Sequence, residues 1–173
     1  VVSDPRPGSD PAAGDGLTHL DPRGQANMVD VSQKSTTARR AVASARLRLD
    51  PATRHLLLAG QLPKGEALAV ARIAGIQAAK DTARLIPLCH PLALSHVGIE
   101  FLPEGEDSIV VTASAATQGP TGVEMEAMIA ASLAALTIYD MVKARCRAAV
   151  VESVRLLHKS GGKSGTFDAP GAP

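Results

Sequence analysis

The chain has 173 residues, 45% of them hydrophobic, and 18 Lys and Arg against 17 Asp and Glu leave a net charge of +1. That length and apolar content suit one globular domain with a real core, while the near-neutral balance gives no general basic field for nucleic acid, so any anion site must be local. Two cysteines, Cys89 and Cys146, cannot make a disulfide framework and point to a reducing cytoplasm, and with no Trp, one Tyr and two Phe the core must come from Ala, Val, Ile and Leu.

Residues 1–16 are rich in Pro, Gly, Asp and Ser and read as a disordered tail, without the charged and apolar regions of a signal peptide. One domain is expected over 17–167, followed by a second tail over 168–173. From Arg40 to Leu49 apolar positions alternate with Val42, Ser44, Arg46 and Arg48, the pattern of a strand with one solvated face. Asp50-Pro51 then reads as a cap and first-turn proline, opening a short helix that stops at Gly60. After the turn QLPKGE, Glu66 to Ile86 predicts a long Ala-rich helix ended by Pro87. LCHPL follows as a stiff loop. Strands around Val97–Phe101 and Ile109–Ala115 flank the hairpin turn PEGED. A second long helix is expected from Val123 to Lys143; its longest apolar stretch, Met128 to Ile138, is too short to span a bilayer, so no membrane is expected. A last strand covers Val150 to Leu157. The order βαββαβ is that of an α+β, ferredoxin-like fold, an antiparallel sheet with two long helices on one face.

Three stretches carry charge where packing alone does not ask for it. The second long helix holds Glu124, Glu126, Asp140 and Lys143. Asp140 and Lys143 share a face; as a surface ion pair they would be worth less than about 1 kcal/mol. Glu124 and Glu126 sit where the helix dipole favours acids. Glu126 and Asp140 point the same way but lie almost four turns apart, so both serve one site only if an assembly brings opposite helix ends together. In LCHPL, His90 is either a structural hydrogen-bonder or an imidazole held by flanking prolines. Cys89 beside it suggests metal, yet no second pair at ligand spacing completes a site, so no metal is assigned. HKSGGKSG is not a Walker A loop, because Leu157 stands where a Gly is needed and no helix follows. It is either a mobile basic tail or a loop whose amides, Lys159 and Lys163 can surround phosphate.

LTHLDPRGQANMVDVSQKSTTARRA, ARIAGIQAAKDTARLIPLCHPL, TGVEMEAMIAASLAALTIYDMVKA and VRLLHKSGGKSG together resemble the cyclic pyranopterin monophosphate synthase family, the C accessory proteins of molybdenum-cofactor biosynthesis, from about Leu17 to Phe167. The resemblance implies ferredoxin-like subunits in a hexamer, a trimer of dimers, with the active site between subunits. It implies a cyclised dihydro-GTP as substrate, and cyclic pyranopterin monophosphate and pyrophosphate as products. By motif position it implies catalytic roles for Asp140, Lys143, Lys64 and His90. It implies substrate contacts from Glu124, Glu126, Arg39, Lys159 and Lys163, with Cys89 and Met125 added from within the same motifs. It implies no resident cofactor, with magnesium only as a companion of the triphosphate. One departure is Pro120, where many members carry Lys or Arg. Two other classes stay open: a ligand-binding regulatory module of the same fold, and a nucleoside triphosphate pyrophosphohydrolase that acts on plain GTP.

Overall fold

The computed structural model describes residue 21 and residues 23–171; the tail expected over residues 1–16 lies outside them. The elements run β1 (Thr37–Arg48), α1 (Pro51–Leu58), α2 (Ala67–Lys80), α3 (Thr82–Leu85), β2 (Leu94–Glu104), β3 (Ser108–Gly119), α4 (Glu124–Val142), β4 (Val150–Ser160) and β5 (Phe167–Asp168). The sheet order is β2-β3-β1-β4-β5, with every neighbouring pair antiparallel. Without the short β5 this is the ferredoxin-like arrangement expected from the order of elements, and α2 and α4 pack on one another and on the sheet.

The period-two pattern of β1 sets the layers. Ala41, Ala43, Ala45 and Leu47 are fully buried, and opposite them on β3 stand Ala115, Ala113, Val111 and Ile109, also fully buried. Their common face carries α4, whose Ala127, Ala130, Ala131, Ala134, Ala135 and Ile138 have no exposed surface. Small side chains let the helices approach closely. At Gly75 of α2 even a methyl group would stand 2.9 Å from the Ala130 carbonyl oxygen and 3.2 Å from the Ala134 methyl, so glycine is dictated by contact. By length and composition α4 could cross a bilayer; its buried alanine face makes it the core helix of this domain instead.

Local signals account for the smaller elements. The Asp50 carboxylate accepts the Thr53 amide at 2.8 Å and caps α1. Gly60 N–H to Leu57 O and Gln61 N–H to Leu56 O close that helix. The helix expected to run unbroken to Ile86 is divided. Asp81, at φ −96° and ψ 6°, leaves helical geometry, and α3 adds a single turn before Pro87. Thr82 is buried at that corner, its hydroxyl donating to the Ala78 carbonyl at 3.3 Å. The strands of the hairpin run further than their apolar alternation, so the turn shrinks to Gly105–Asp107. At the other end Phe167 and Asp168, taken from the sequence as the junction with the C-terminal tail, form β5 on the edge of β4.

Candidate active site

The expected residues gather at the two ends of α4. At its C-terminal end stands a three-residue charge cluster. Pro63-Lys64 occupies the centre of a turn closed by Gly65 N–H on the Leu62 carbonyl at 2.9 Å, and buried Leu62 anchors that turn to the core. Lys64 Nζ donates to the backbone carbonyl of Asp140 at 2.8 Å and lies 3.3 Å from its Oδ2. Lys143 Nζ is 2.6 Å from Oδ1 of the same carboxylate. Asp140 is thus bridged by two ammonium groups. The bond from Lys143, and then that from Lys64, holds its carboxyl below the usual carboxylate range. Asp140 in turn raises Lys143 above an ordinary lysine, which keeps its ammonium charged beside the carboxylate. A cleft of about 480 Å³ beside the cluster is lined by Lys64, Tyr139, Lys143, Ala144 and Arg147. The side chains of Asp140 and Lys143 remain 57% and 52% exposed, so the described residues leave them largely open.

The N-terminal end of α4 is more enclosed. A cleft of about 280 Å³ lies between the segment Val29–Lys34, the LCHPL loop and the first turn of α4, and Cys89, His90, Glu124, Met125 and Glu126 all line it. His90 Nε2 lies 2.7 Å from the Val29 carbonyl. A carbonyl only accepts, so Nε2 carries the hydrogen and Nδ1 of the neutral ring is left as an acceptor. Glu126 is only 4% exposed, and burial, reinforced by the charge on Glu124, pushes its carboxyl upward. Burial and then Glu126 likewise raise the Cys89 thiol, which keeps it protonated rather than nucleophilic.

A second cleft, of about 630 Å³, adjoins the first and shares Lys34, Thr121, Gly122 and Glu124 with it. Its other walls include Thr37, Arg39, Lys163 and Ser164, where β1 meets the glycine loop after β4. Arg39 is anchored by backbone: its guanidinium donates to Gly119 O at 3.4 Å, Pro120 O at 3.3 Å and Gly161 O at 3.3 Å. Gly161 and Gly162 make that possible. A side chain at Gly161 would strike the Ala38 carbonyl and one at Gly162 the Arg39 guanidinium, and both residues adopt positive φ, 96° and 73°. Lys159 is tied back to the Ser164 hydroxyl. The buried Thr37 hydroxyl has no hydrogen-bond partner among the described residues and stands at the edge of this cleft.

The MoaC family model matches residues 28–162. The chain belongs to the MoaC family. Over 157 residues it is 55% identical to a protein of Pelotomaculum thermopropionicum named cyclic pyranopterin monophosphate synthase, covering 90% of this chain and 92% of that relative. The MoaC match takes in the Val29–Lys34 segment, the LCHPL loop, α4 and the first two glycines of the loop; Lys163 and β5 follow it.

The structure thus brings Lys64, Asp140 and Lys143 into one cluster. It places His90, Cys89, Glu124, Met125 and Glu126 around one cleft, and Arg39 and Lys163 around its neighbour. It does not join these groups within one chain, since α4 separates them. Sequence reasoning missed Lys34, which lines both N-terminal clefts, and Arg147, which lines the cleft at the far end. Lys34 lies in MVDVSQK and Arg147 in the turn between α4 and β4, two stretches with no periodicity to place a side chain.

Proposed function

We propose that this MoaC-family chain is a cytoplasmic cyclic pyranopterin monophosphate synthase. It would convert a cyclised dihydro-GTP to cyclic pyranopterin monophosphate and pyrophosphate at a site shared between copies of the chain. The observation that carries the proposal is the carboxylate of Asp140 held between Lys64 and Lys143. A triad of that kind at the mouth of a cleft is a source of protons, and ring opening and closure on a purine-derived substrate require several proton transfers.

The two ends of α4 divide the work. Lys143, charged and oriented by Asp140, gives a proton to the opening imidazole portion of the purine, and Lys64 completes the relay on the sugar side. At the other end Lys163, Lys159 and Lys34 neutralise the triphosphate. A ribose hydroxyl then attacks the innermost phosphorus; the bond to the bridging oxygen breaks and pyrophosphate leaves with the electron pair, stabilised by those cations. Magnesium enters bound to the triphosphate as part of the substrate. Arg39 reaches the phosphates through the loops it anchors. His90 Nδ1, Cys89, Met125, Glu124 and Glu126 shape the pocket for the polar edge of the base or the ribose hydroxyls.

The fourteen residues from Glu126 to Asp140 span about 21 Å along the helix axis. One substrate meets both ends only if a second copy sets its Asp140 end against the first copy's Glu126 end, as a two-fold axis does. The exposed Ile73 of α2 and Leu136 of α4 support burial of the outer helix layer in such an assembly, for which we propose the hexamer. The test is incubation with cyclised dihydro-GTP, with detection of pyrophosphate and of the pterin product and with GTP as control. Turnover of the cyclised substrate with none of GTP is expected. Pyrophosphate from GTP alone would transfer the chain to the pyrophosphohydrolase class. Binding without turnover would leave a ligand-binding module.

A further inference from the structure

We propose that β5 is a strap that pre-forms the lysine-bearing glycine hairpin, with His158 and Asp168 as its positioning residues. The inference deepens the function proposed above and rests on it for the nature of the anion, a chain of phosphates.

The loop between β4 and β5, residues 161–166, contains three glycines, and Gly161, Gly162 and Gly165 all adopt left-handed φ. Such a loop on a free chain end would sample many conformations, and a ligand binding to it would have to order it. Here both ends are fixed. On the β4 side the Gly161 carbonyl accepts from Arg39 at 3.3 Å. On the other side His158 pairs with Asp168 and Lys159 with Phe167 in an antiparallel register. The Ala169 amide donates to the Leu157 carbonyl at 2.8 Å. His158 Nδ1 lies 2.8 Å from Asp168 Oδ1, a bond the imidazole N–H can give in either protonation state. Arg155 adds a 3.3 Å bond to the Gly171 carbonyl. Within the loop, Gly165 N–H reaches the Gly162 carbonyl at 3.2 Å and Lys159 reaches Ser164.

The tail is therefore folded back, and Lys163 is carried at the tip of a closed hairpin beside Arg39, Thr37 and Glu124. Neither His158 nor Asp168 lines any of the clefts described above. Their effect passes through Lys159 and Lys163 by removing the ordering cost before the anion arrives. The strap begins beyond the residues matched by the MoaC model, which end at Gly162.

Calorimetric titration with inorganic tripolyphosphate tests the strap apart from turnover, using the full chain, Asp168→Ala, His158→Ala, the double variant, Asp168→Glu, and a chain ending at Thr166. The single variants should each weaken binding about threefold, and the double variant no further than either single one, because the two residues act as one pair. Asp168→Glu should recover most of the loss. The chain ending at Thr166 should bind about tenfold or more weakly, through a larger ordering cost. With the cyclised substrate the same changes should appear in KM, with kcat nearly unchanged. Equal affinity in the full and shortened chains, or a loss confined to kcat, overturns the strap. So does failure of the intact chain to bind tripolyphosphate, whereas turnover by that same intact chain is decided separately by the pyrophosphate assay.

Discussion

The two ends of α4 handle charge in opposite ways. At Glu126 the protein removes water, and the carboxyl responds by holding its proton more tightly. At Asp140 it leaves water in place and supplies two cations, and the carboxyl responds by giving its proton up. The first solution shields its acid; the second leaves acid and bases open to solvent, where a paired acid and base work less well than when solvent is excluded. The contrast teaches that the Asp140 end has room for the cover that the proposed shared site would supply, whereas the Glu126 end is already shielded.

That comparison can be broken at either end. The largest effect should come from Lys143→Ala, which removes the proposed proton donor; we expect loss of turnover by about 10²–10⁴ or more with an unchanged circular dichroism spectrum, and near-normal product formation would end its assignment. Asp140→Asn should approach the same loss, since it leaves Lys64 and Lys143 without the carboxylate that orients them. Next, with substrate held well below KM, co-expression of Lys143→Ala with Lys163→Ala should give about a quarter of normal activity, through mixed dimers in which one shared site is intact, against about a twentieth without such sharing. No recovery, with mixed assembly verified by mass spectrometry, would place each site within one chain. Lys163→Ala alone should raise KM about tenfold, the loss of one phosphate contact, and spare kcat.

The smallest effect, and the sharpest probe of the buried end, is on stability. The pKa of Glu126 is raised above its ordinary value near 4.5, so the folded chain binds this proton more tightly than the unfolded chain does. Its contribution is then fully present below about pH 4.5 and is lost as pH rises through the raised value. Glu126→Gln should accordingly raise Tm by a few degrees at pH 7, with a gain that fades on acidification to pH 4, as read from thermal melts across that range. A loss of Tm at pH 7 that fades on acidification would mean instead that the ionised carboxylate is well satisfied in the fold. Activity should fall in the same variant, because a site that favours a carboxyl's proton has been traded for stability.

Much of this was legible in the sequence. The alternation from Ala41 to Leu47 and the Ala-rich runs of α2 and α4 specify layers that small side chains make close, so order and burial followed from period alone. Spacing on α4 also implied that Glu126 and Asp140 sit far apart. What was not legible depends on contacts distant in sequence. The break at Asp81 has neither Gly nor Pro to mark it and arises as the chain turns to bring LCHPL back to the sheet. Phe167–Asp168 is too short to show any period and exists only because β4 offers a free edge. Arg39 was read as a phosphate contact by resemblance; in the fold it faces three carbonyls from two other loops, a destination fixed only once β1, β3 and β4 lie side by side.

The alanine seam between α2 and α4, with Gly75 at its tightest point, leaves no slack for either helix to slide. α4 therefore works as a ruler: its residue count fixes where its two chemical ends fall. Inserting a single residue would lengthen it by about 1.5 Å and turn everything beyond by about 100°, carrying Asp140 and Lys143 off their bearing while leaving every side chain present. Substitutions on its outer face should be tolerated far more readily than insertions or deletions anywhere along it.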